Sequence, residues 1–438
     1  MNNPVPTAKS PLPELRLRQS GKWYRRLGPG LITACVVIGP GSITTSSQVG
    51  STHGFSLTWV VLVAVVFMLT FMQLGARLGA VSEQSPADLI TERIGRWLAA
   101  LIGIGTFFIS ASFQFGNNLG VDAAFKELSK DIFSLETQAV VAPWLDYTIV
   151  AFNGFAIAFL VAFKNLYRAL ERLMMCFVGV MLASFALNLG FALANMTIPA
   201  EAAAPAAEEP LLDFSLLGLV GTTFVITAAY YQCYLVQQKG WTKDDVADGM
   251  RDARVGSVLM ALITLMIMCT AAAVLQGKQL QNYTEVSSQL APLFGAWGRP
   301  LFCIGLFAAA YSSFLINSMI GGFILADGLG LGSRPEQPAP RIMTIAVLLI
   351  GMAVALFVIK AGFNAVPAVV AAQAVTVLAA PLTAGALIWM TNRKDIMGED
   401  TNRPGTNILA CCGLVLLLAM ALYTAVAKVW PRLSEWIA

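Results

Sequence analysis

The chain has 438 residues, of which 57% are hydrophobic and 12% are charged, and its formal net charge is +3. Soluble globular proteins carry about 25% charged residues, so the composition excludes an ordinary soluble domain and predicts an integral membrane protein. The net charge itself says little, because the distribution of charge matters more than its sum, and we expect no nucleic-acid partner. The seven Cys lie in apolar segments without paired extracellular spacing, so we expect small packed side chains rather than disulfides.

Eleven segments are long enough to cross a bilayer, at about 20 apolar residues each. Their approximate bounds are 28–50, 56–80, 97–120, 144–163, 170–194, 214–237, 254–276, 300–326, 341–361, 364–390 and 406–428. Residues 1–20 form a Pro-rich cytoplasmic tail that we expect to be disordered, and the Ala/Pro/Glu loop at 198–210 cannot bury a core. Residues 21–430 are predicted to form a single integral membrane domain.

Lys and Arg are concentrated in the N-terminal tail and in every second loop after it. The loops that carry them follow the second, fourth, sixth, eighth and tenth segments, whereas the loop at 196–213 has four acidic residues and no basic one. Because basic loops stay in the cytoplasm, we predict a cytoplasmic N-terminus and an external C-terminus. The short loops are typical of a protein of the bacterial inner (plasma) membrane.

The first segment is interrupted near its middle by the triplet Gly39-Pro40-Gly41. Pro has no amide hydrogen to continue a helix, and Gly costs conformational order. Backbone groups freed inside a membrane need partners in the protein, in water or in a solute, so a broken helix is a candidate solute site. A Pro kink that only shapes helix packing is the alternative. Five hydroxyl residues follow the break and favour the solute site. They are Ser42, Thr44, Thr45, Ser46 and Ser47.

An odd number of helices per repeat inverts the second repeat, so segments one to five and six to ten can be related by opposite topology. We predict repeats at about 28–194 and 214–390, with an extra helix at about 406–428. The sixth segment then corresponds to the first and should also be broken. It has no Pro, but its centre is rich in polar and small residues. These include Thr227, Ala228, Tyr230 and Tyr231. The alternative is that the small residues only form a helix-packing face.

Several short motifs, most of them containing glycine, occur within these segments or next to them. They are Leu27-Gly28-Pro29-Gly30, the break at 39–42, Ala76-Arg77-Leu78-Gly79, Tyr311-Ser312-Ser313 with Gly321-Gly322-Phe323, and Asp395-Ile396-Met397-Gly398. In sequence and order they resemble motifs of the NRAMP family of divalent-metal transporters, over about 28–400. The resemblance implies the fold of the sodium-coupled amino-acid transporters. That fold is an all-α membrane protein of two inverted five-helix repeats plus one extra helix, with helices 1 and 6 broken.

The residues that carry the chemistry of this family differ here. Where the family reads Asp-Pro-Gly-Asn in its first helix, this chain has Gly39-Pro40-Gly41-Ser42, which lacks the carboxylate and the amide. The family's Met-Pro-His-Asn in the sixth helix corresponds to Val-Ile-Thr-Ala at 225–228, and Gln232 stands at a second His position. The Asp and Glu that serve proton movement in the third helix are replaced by Gln114 and Asn117. One family residue, which binds the metal or supports its ligands in relatives, survives as Gln373.

These departures change which solute the site can hold. A divalent cation needs several oxygens, usually with carboxylates among them, or soft thioether and imidazole ligands. The predicted site offers neutral groups, and its hydroxyl run begins a half-helix whose free N–H groups favour an anion. We therefore predict a secondary transporter for a small polar organic solute, for example a carboxylate. The alternatives are a Mg²⁺ or Mn²⁺ importer with neutral oxygen ligands and a membrane sensor that transports nothing.

The residues predicted to bind the solute are Gly39, Gly41, Ser42, Thr44, Thr45, Thr227, Ala228, Tyr230, Tyr231 and Gln373. The neutral residues at the coupling positions are Gln114, Asn117 and Gln232. We expect no cofactor, and the spans contain no base–nucleophile pair or His-metal cluster that would indicate an enzyme. The single His, His53, lies in a predicted loop, so the sequence leaves H⁺, Na⁺ and no coupled ion as alternatives.

Overall fold

The structure, a computed structural model, describes residues 28–132, 134–162, short helical stretches between 176 and 194, 213–287 and 298–431. Nearly all of these residues are helical. The first half contains α1 (Pro29–Val37), α2 (Pro40–His53), α3 (Thr58–Val81), α4 (Pro86–Arg93), α5 (Arg96–Ile132), α6 (Leu135–Leu145) and α7 (Thr148–Ala162). The second half contains α8 (Phe214–Thr223), α9 (Ile226–Lys239), α10 (Val246–Val274), α11 (Tyr283–Ser287), α12 (Gly298–Gly328), α13 (Pro338–Lys360), α14 (Ala365–Val375), α15 (Ala380–Asn392), α16 (Lys394–Met397) and α17 (Pro404–Tyr423).

Eight helical stretches of the described residues are long and apolar enough to cross a membrane. They match the segments predicted at 56–80, 97–120, 214–237, 254–276, 300–326, 341–361, 364–390 and 406–428. The pair α1–α2 and the helix α7 match two further predicted segments with shorter helices. The segment predicted at 170–194 lies largely outside the described residues. The chain is therefore a helical integral membrane protein, and its total of eleven spans stays a prediction.

The first predicted break is confirmed between α1 and α2. Ile38 leaves helical geometry with φ −90° and ψ 74°, and Gly39 is extended with φ −125° and ψ 173°. Pro40 then occupies the first turn of α2, where its missing amide hydrogen costs nothing. The Ser42 hydroxyl oxygen accepts a hydrogen bond from the Gly39 amide at 3.1 Å. The break is therefore a defined turn that is capped by its own side chain.

The sixth predicted segment is also broken, between α8 and α9, although it contains no Pro. Phe224 and Val225 have ψ values of 65° and 83°, outside the helical region. The Phe224 ring packs against Phe67 and Phe71 of α3, with ring centroids 5.9 and 5.4 Å apart. The first break is explained by its own Gly and Pro residues. The second break has no such residues, and its Phe224 packs on the neighbouring helix α3.

A third interruption, which the sequence analysis does not predict, divides the segment at 364–390. α14 ends at Val375, a 3₁₀ turn covers Thr376–Leu378, and α15 begins at Ala380. Pro381 stands in the first turn of α15, where it has no amide hydrogen to donate to a preceding carbonyl and so favours a new helix start. The interruption leaves Gln373 in the last turn of α14.

α10 begins at Val246 rather than at the predicted residue 254. Its additional turns contain Asp252, whose carboxylate accepts hydrogen bonds from the amides of Gly28 at 2.8 Å and Gly30 at 2.5 Å. A carboxylate at a helix N-terminus satisfies free N–H groups and complements the helix dipole. Asp252 therefore fixes the start of α1 against α10.

α1 and α10 cross with their backbones in direct contact at Gly30 and Gly256. A Cβ on Gly256 would overlap the main chain of Gly30. Gly256→Ala is therefore expected to lower the thermal unfolding midpoint in detergent by a few degrees, since overpacking costs roughly 1–3 kcal/mol. Gly385→Ala in α15 is the matched control, because nothing lies within 4 Å of its added Cβ. Equal midpoints for the two variants would contradict the close crossing.

Candidate functional site

Gln373 lies beside both helix breaks. Its side chain is fully buried, and neither Nε2 nor Oε1 has a hydrogen-bond partner among the described residues. A Cβ on Gly41 would lie 2.6 Å from Nε2, and a Cβ on Gly116 of α5 would lie 3.0 Å from it. From α8, a Cβ on Gly221 would lie 3.0 Å from the Gln373 carbonyl oxygen. Since an unpartnered buried amide costs about 1–3 kcal/mol, this group is a candidate for binding a ligand.

The hydroxyl groups at the start of α2 bond to their own helix. Thr44 and Thr45 donate to the carbonyls four residues earlier at 2.6 and 3.0 Å, and Ser42 donates to the carbonyl three residues earlier at 3.0 Å. Thr45 also contacts Thr222 of α8, with 3.1 Å between the two hydroxyl oxygens. Ser and Thr often satisfy helix carbonyls in this way. These hydroxyls therefore stabilise the break and its contact with α8.

Gly39 faces a space that neutral side chains already fill. A Cβ on Gly39 would lie 2.6 Å from Ser313 Oγ, 2.9 Å from Ser313 Cβ and 3.0 Å from Asn117 Oδ1. Ser313 Oγ accepts hydrogen bonds from the amides of Asn117 at 3.1 Å and Asn317 at 2.8 Å, and donates to the Val36 carbonyl at 3.4 Å. The position at which the NRAMP motif has a carboxylate is thus packed by the Ser313 hydroxyl and the Asn117 amide.

The three coupling positions form hydrogen bonds between helices. Gln114 Nε2 donates to the Phe314 carbonyl of α12 at 2.6 Å, and Gln114 Oε1 accepts from Asn117 at 3.2 Å. The Gln232 amide lies 2.6 Å from the Thr33 hydroxyl of α1. With its nitrogen facing Thr33, the same amide also reaches two backbone groups in the first turn of α1 at 3.2 Å. Neutral amides therefore join α5 to α12 and α9 to α1.

The other predicted residues of α9 are buried, and the first of them lies at the second break. Thr227 and Ala228 are in the first turn, and Thr227 borders a cavity of about 10 Å³, roughly the space of one water. Tyr230 and Tyr231 follow one turn later and pack on Tyr234, with ring centroids 6.3 and 5.7 Å apart. Tyr231 also packs edge-on against Phe323 of α12, with ring centroids 6.0 Å apart, so these two predicted binding residues contact other aromatic rings.

One end of the site is covered by α11. The Tyr283 hydroxyl lies 3.1 Å from Thr44 Oγ1 in α2. Nearby, Lys126 of α5 lies 2.8 Å from Asp146, which Lys360 of α13 also contacts at 3.0 Å. Asp146 therefore has two cationic partners from different helices. These contacts hold together α2, α5, α11 and α13 at the end predicted to face outside.

A vestibule of about 1230 Å³ opens at the opposite end, between the loops that follow α3, α9 and α12. The charged side chains that line it are Glu83, Asp88, Asp244, Asp327 and Glu336, with Arg96, Lys243 and Arg334. The excess of acidic groups favours cations over anions. The vestibule reaches inward to Tyr234 and Asp327, which are 2% and 3% exposed. Gln373 is not part of its lining, so protein separates the central amide from the vestibule.

Three residues near these features are absent from the predicted site. Asp252 and Asp327 lie just outside the segments predicted at 254–276 and 300–326, so they read as loop residues. With the helix bounds of the structure, both would have been candidates, because an acidic residue within an apolar span is a functional candidate. Ser313 belongs to a motif noted in the sequence, but no local pattern places it against Gly39. Within the described part of the chain, no three His, Cys, Asp or Glu side chains are grouped so that they could hold a metal ion.

Two interrupted helices beside a buried amide, between a covered end and an open vestibule, define a membrane transporter of the broken-helix class. A sequence profile described as "Natural resistance-associated macrophage protein-like" matches residues 30–427. The chain belongs to the Nramp family, as its short motifs indicate. Members of this family are transporters and not enzymes.

Relatives of known name extend this comparison. The divalent metal cation transporter MntH of Verminephrobacter eiseniae is 25% identical over 407 residues, covering 90% of this chain and 87% of that protein. The MntH of Granulibacter bethesdensis is 26% identical over 410 residues, covering 90% and 86%. The crystal structure of the Eremococcus coleocola manganese transporter, in complex with an aromatic bis-isothiourea substituted compound, has a TM-score of 0.69 at 17% identity. That match covers 94% of this chain and 88% of the other and shows a shared fold.

Proposed function

We propose that this protein carries a divalent cation, Mg²⁺ or Mn²⁺, across the membrane by alternating access, with neutral oxygens as ligands. The buried Gln373 amide, unpartnered among the described residues, carries the proposal. Amide and carbonyl oxygens are ligands that these hard cations accept. The carbonyls at the ends of α1 and α8 add further oxygens, since the last four C=O groups of a helix have no partner within it. The relatives named divalent metal cation transporters support the same cargo.

A site of neutral oxygens cannot cancel the charge of a divalent cation, so the bound ion should keep much of its water. Mg²⁺ dehydrates reluctantly and usually keeps several waters in proteins. Softer transition metals gain most from thiolate, thioether or imidazole ligands, and the described residues contain no group of three His, Cys, Asp or Glu side chains that could hold such an ion. We therefore expect weak binding that accepts Mg²⁺ at least as well as Mn²⁺.

The comparisons support this function better than the small organic solute predicted from the sequence. Two features of the site favour the same correction. The hydroxyls of Thr44 and Thr45 bond to their own helix, and Gly41 and Gly116 contact the Gln373 amide closely. An organic solute needs a larger cavity with several polar groups directed into it. An ion with a few waters needs much less space.

The proposal includes the finer architecture. We infer eleven spans in a single domain at about 21–430, with inverted repeats at about 28–194 and 214–390 and an extra helix at about 406–428. The breaks in the first and sixth segments support the inverted repeats. The basic loops support a cytoplasmic N-terminus, an external C-terminus and a vestibule on the cytoplasmic side of a bacterial inner membrane. A cation released into the vestibule would therefore be imported.

Uptake into proteoliposomes tests this function. Purified protein would be reconstituted into vesicles loaded with a metal-sensitive dye, and Mg²⁺ and Mn²⁺ would be added outside in separate experiments. We expect uptake of both ions above that of protein-free vesicles. If protein with an intact thermal unfolding transition takes up neither ion, the cation function is wrong, and a sensor or a carrier of organic solutes takes its place.

A further inference from the structure

The carboxylate of Asp327 forms the inner limit of the vestibule, in a part of the protein that the proposed cation site does not use. Its Oδ2 accepts a hydrogen bond from the Tyr234 hydroxyl at 2.6 Å, and its Oδ1 accepts one from the Ser85 hydroxyl at 2.8 Å. The Ala87 amide also donates to Oδ2, at 3.3 Å. All three donors are neutral, so the carboxylate has hydrogen bonds without a countercharge.

No Lys, Arg or His in the described part of the chain forms an ion pair with the Asp327 carboxylate. Arg96 of α5 donates to the main-chain carbonyl of Asp327 at 3.1 Å, and its guanidinium lies 3.6 Å from the Asp88 carboxylate. The titratable and charged groups around Asp327 are Asp88 of α4, Arg96 of α5, Tyr230 and Tyr234 of α9, and, farther out in the vestibule, Glu83, Lys243, Asp244, Arg334 and Glu336. A charge held only by neutral donors is stabilised less than a paired one.

The hydrogen bonds of Asp327 join three helices. Asp327 is near the end of α12, and Ser85 is the N-cap of α4. Tyr234 belongs to α9, the half-helix that starts at the second break. It follows Ile226 by eight residues, or about 12 Å along the helix axis at 1.5 Å per residue. A change at Asp327 can therefore reach the break through a single rigid half-helix.

We propose that Asp327 is a proton-responsive positioning residue that holds α9 through Tyr234. In the ionised state, its carboxylate accepts hydrogen bonds from Tyr234 and Ser85 and fixes α9 against α4 and α12. A proton taken up from vestibule water neutralises the carboxylate and weakens both bonds, since hydrogen bonds to a charged acceptor are about twice as strong as neutral ones. α9 is then released, and the proton returns to the vestibule when the contact re-forms. The proposal rests on transport by alternating access, but its test does not require the cargo.

Cys233 provides the test, because it is fully buried on α9 next to Tyr234. The parent protein for this experiment keeps Cys233 as its single cysteine and is labelled with a membrane-permeant maleimide at about pH 8 and at about pH 5.5. At each pH, the labelling rate of the Asp327→Asn variant is divided by the labelling rate of the parent. This ratio cancels the intrinsic pH dependence of the thiol. We expect a ratio of roughly five at the higher pH that falls toward one at the lower pH, as the parent's carboxylate takes up a proton.

Two further variants control the experiment. Glu336→Gln neutralises an exposed carboxylate of the same vestibule and should give the parent's labelling rate at both pH values. Tyr234→Phe removes the donor and keeps the carboxylate, so its rate should exceed that of the parent at the higher pH. It also serves as the second variant if Asp327→Asn does not fold.

The outcomes separate this proposal from the proposed function. A ratio for Asp327→Asn that is the same at both pH values would overturn the role of Asp327, whatever the protein transports. A ratio that falls with pH supports that role. If such a protein takes up neither Mg²⁺ nor Mn²⁺, the proposed cargo is wrong, and the proton-responsive contact stands.

Discussion

Gln373→Ala is expected to lower the initial rate of divalent-cation uptake by roughly 10- to 100-fold, the range found when a group that supports a metal site is lost. The side-chain amide has no hydrogen-bond partner among the described residues, so the substitution removes the proposed ligand without breaking a hydrogen bond to those residues. Removing an unsatisfied buried amide also removes its desolvation cost. The thermal unfolding midpoint in detergent should therefore stay the same or rise while uptake falls.

Gln279→Ala is the matched control for this experiment, because Gln279 is an exposed glutamine in the loop before α11. It should leave both the uptake rate and the unfolding midpoint unchanged. A slow Gln373→Ala protein with a lowered midpoint would indicate a structural role instead of a ligand. If Gln373→Ala takes up Mg²⁺ and Mn²⁺ as fast as the parent, the cation does not bind at this amide and the proposed site is wrong.

The breaks can be predicted from the sequence only where their cause is local. The triplet Gly39-Pro40-Gly41 identifies the first break, because Pro and Gly oppose a regular helix whatever surrounds them. The second break contains no such residue, and only the expected repeat predicts it. Its Phe224 packs on rings of α3, a contact between distant segments that no local pattern shows. Pro381 is a local signal as well, but a Pro in an apolar segment is often tolerated when neighbours satisfy the freed groups.

The composition of the site is harder to predict, because it depends on contacts between distant segments. The resemblance points to Gln373 and the break points to Gly41, and these two residues are in contact. Nothing local predicts that Ser313 fills the space beside Gly39. Asp327 is not among the predicted site residues, because the predicted segment ends at residue 326 whereas α12 continues to Gly328. An error of one residue at a helix end therefore hides a buried acid.

A carboxylate at position 39 should restore stronger cation binding only if space is made for it. In Gly39→Asp alone, the new Cβ would lie 2.6 Å from Ser313 Oγ and 2.9 Å from Ser313 Cβ. We expect this variant to unfold at a lower temperature and to gain no uptake. In Gly39→Asp combined with Ser313→Gly, both atoms are removed and the carboxylate can face the break. Since charged oxygen ligands raise the affinity for hard divalent cations, Mn²⁺ uptake should rise roughly tenfold over the parent.

Ser313→Gly alone separates the added charge from the added space. It removes the hydroxyl that Asn117 and Asn317 bond to, and a Gly within a helix costs about 1 kcal/mol, so it should be less stable than the parent and no faster in uptake. A gain in Gly39→Asp with unchanged stability would show that Gly39 does not face Ser313. No gain in a folded double variant would show that a carboxylate beside the first break cannot reach the cation. A gain confined to the double variant would mean that Ser313 occupies the place of the missing ligand, so that the same scaffold can hold its cargo with or without charge.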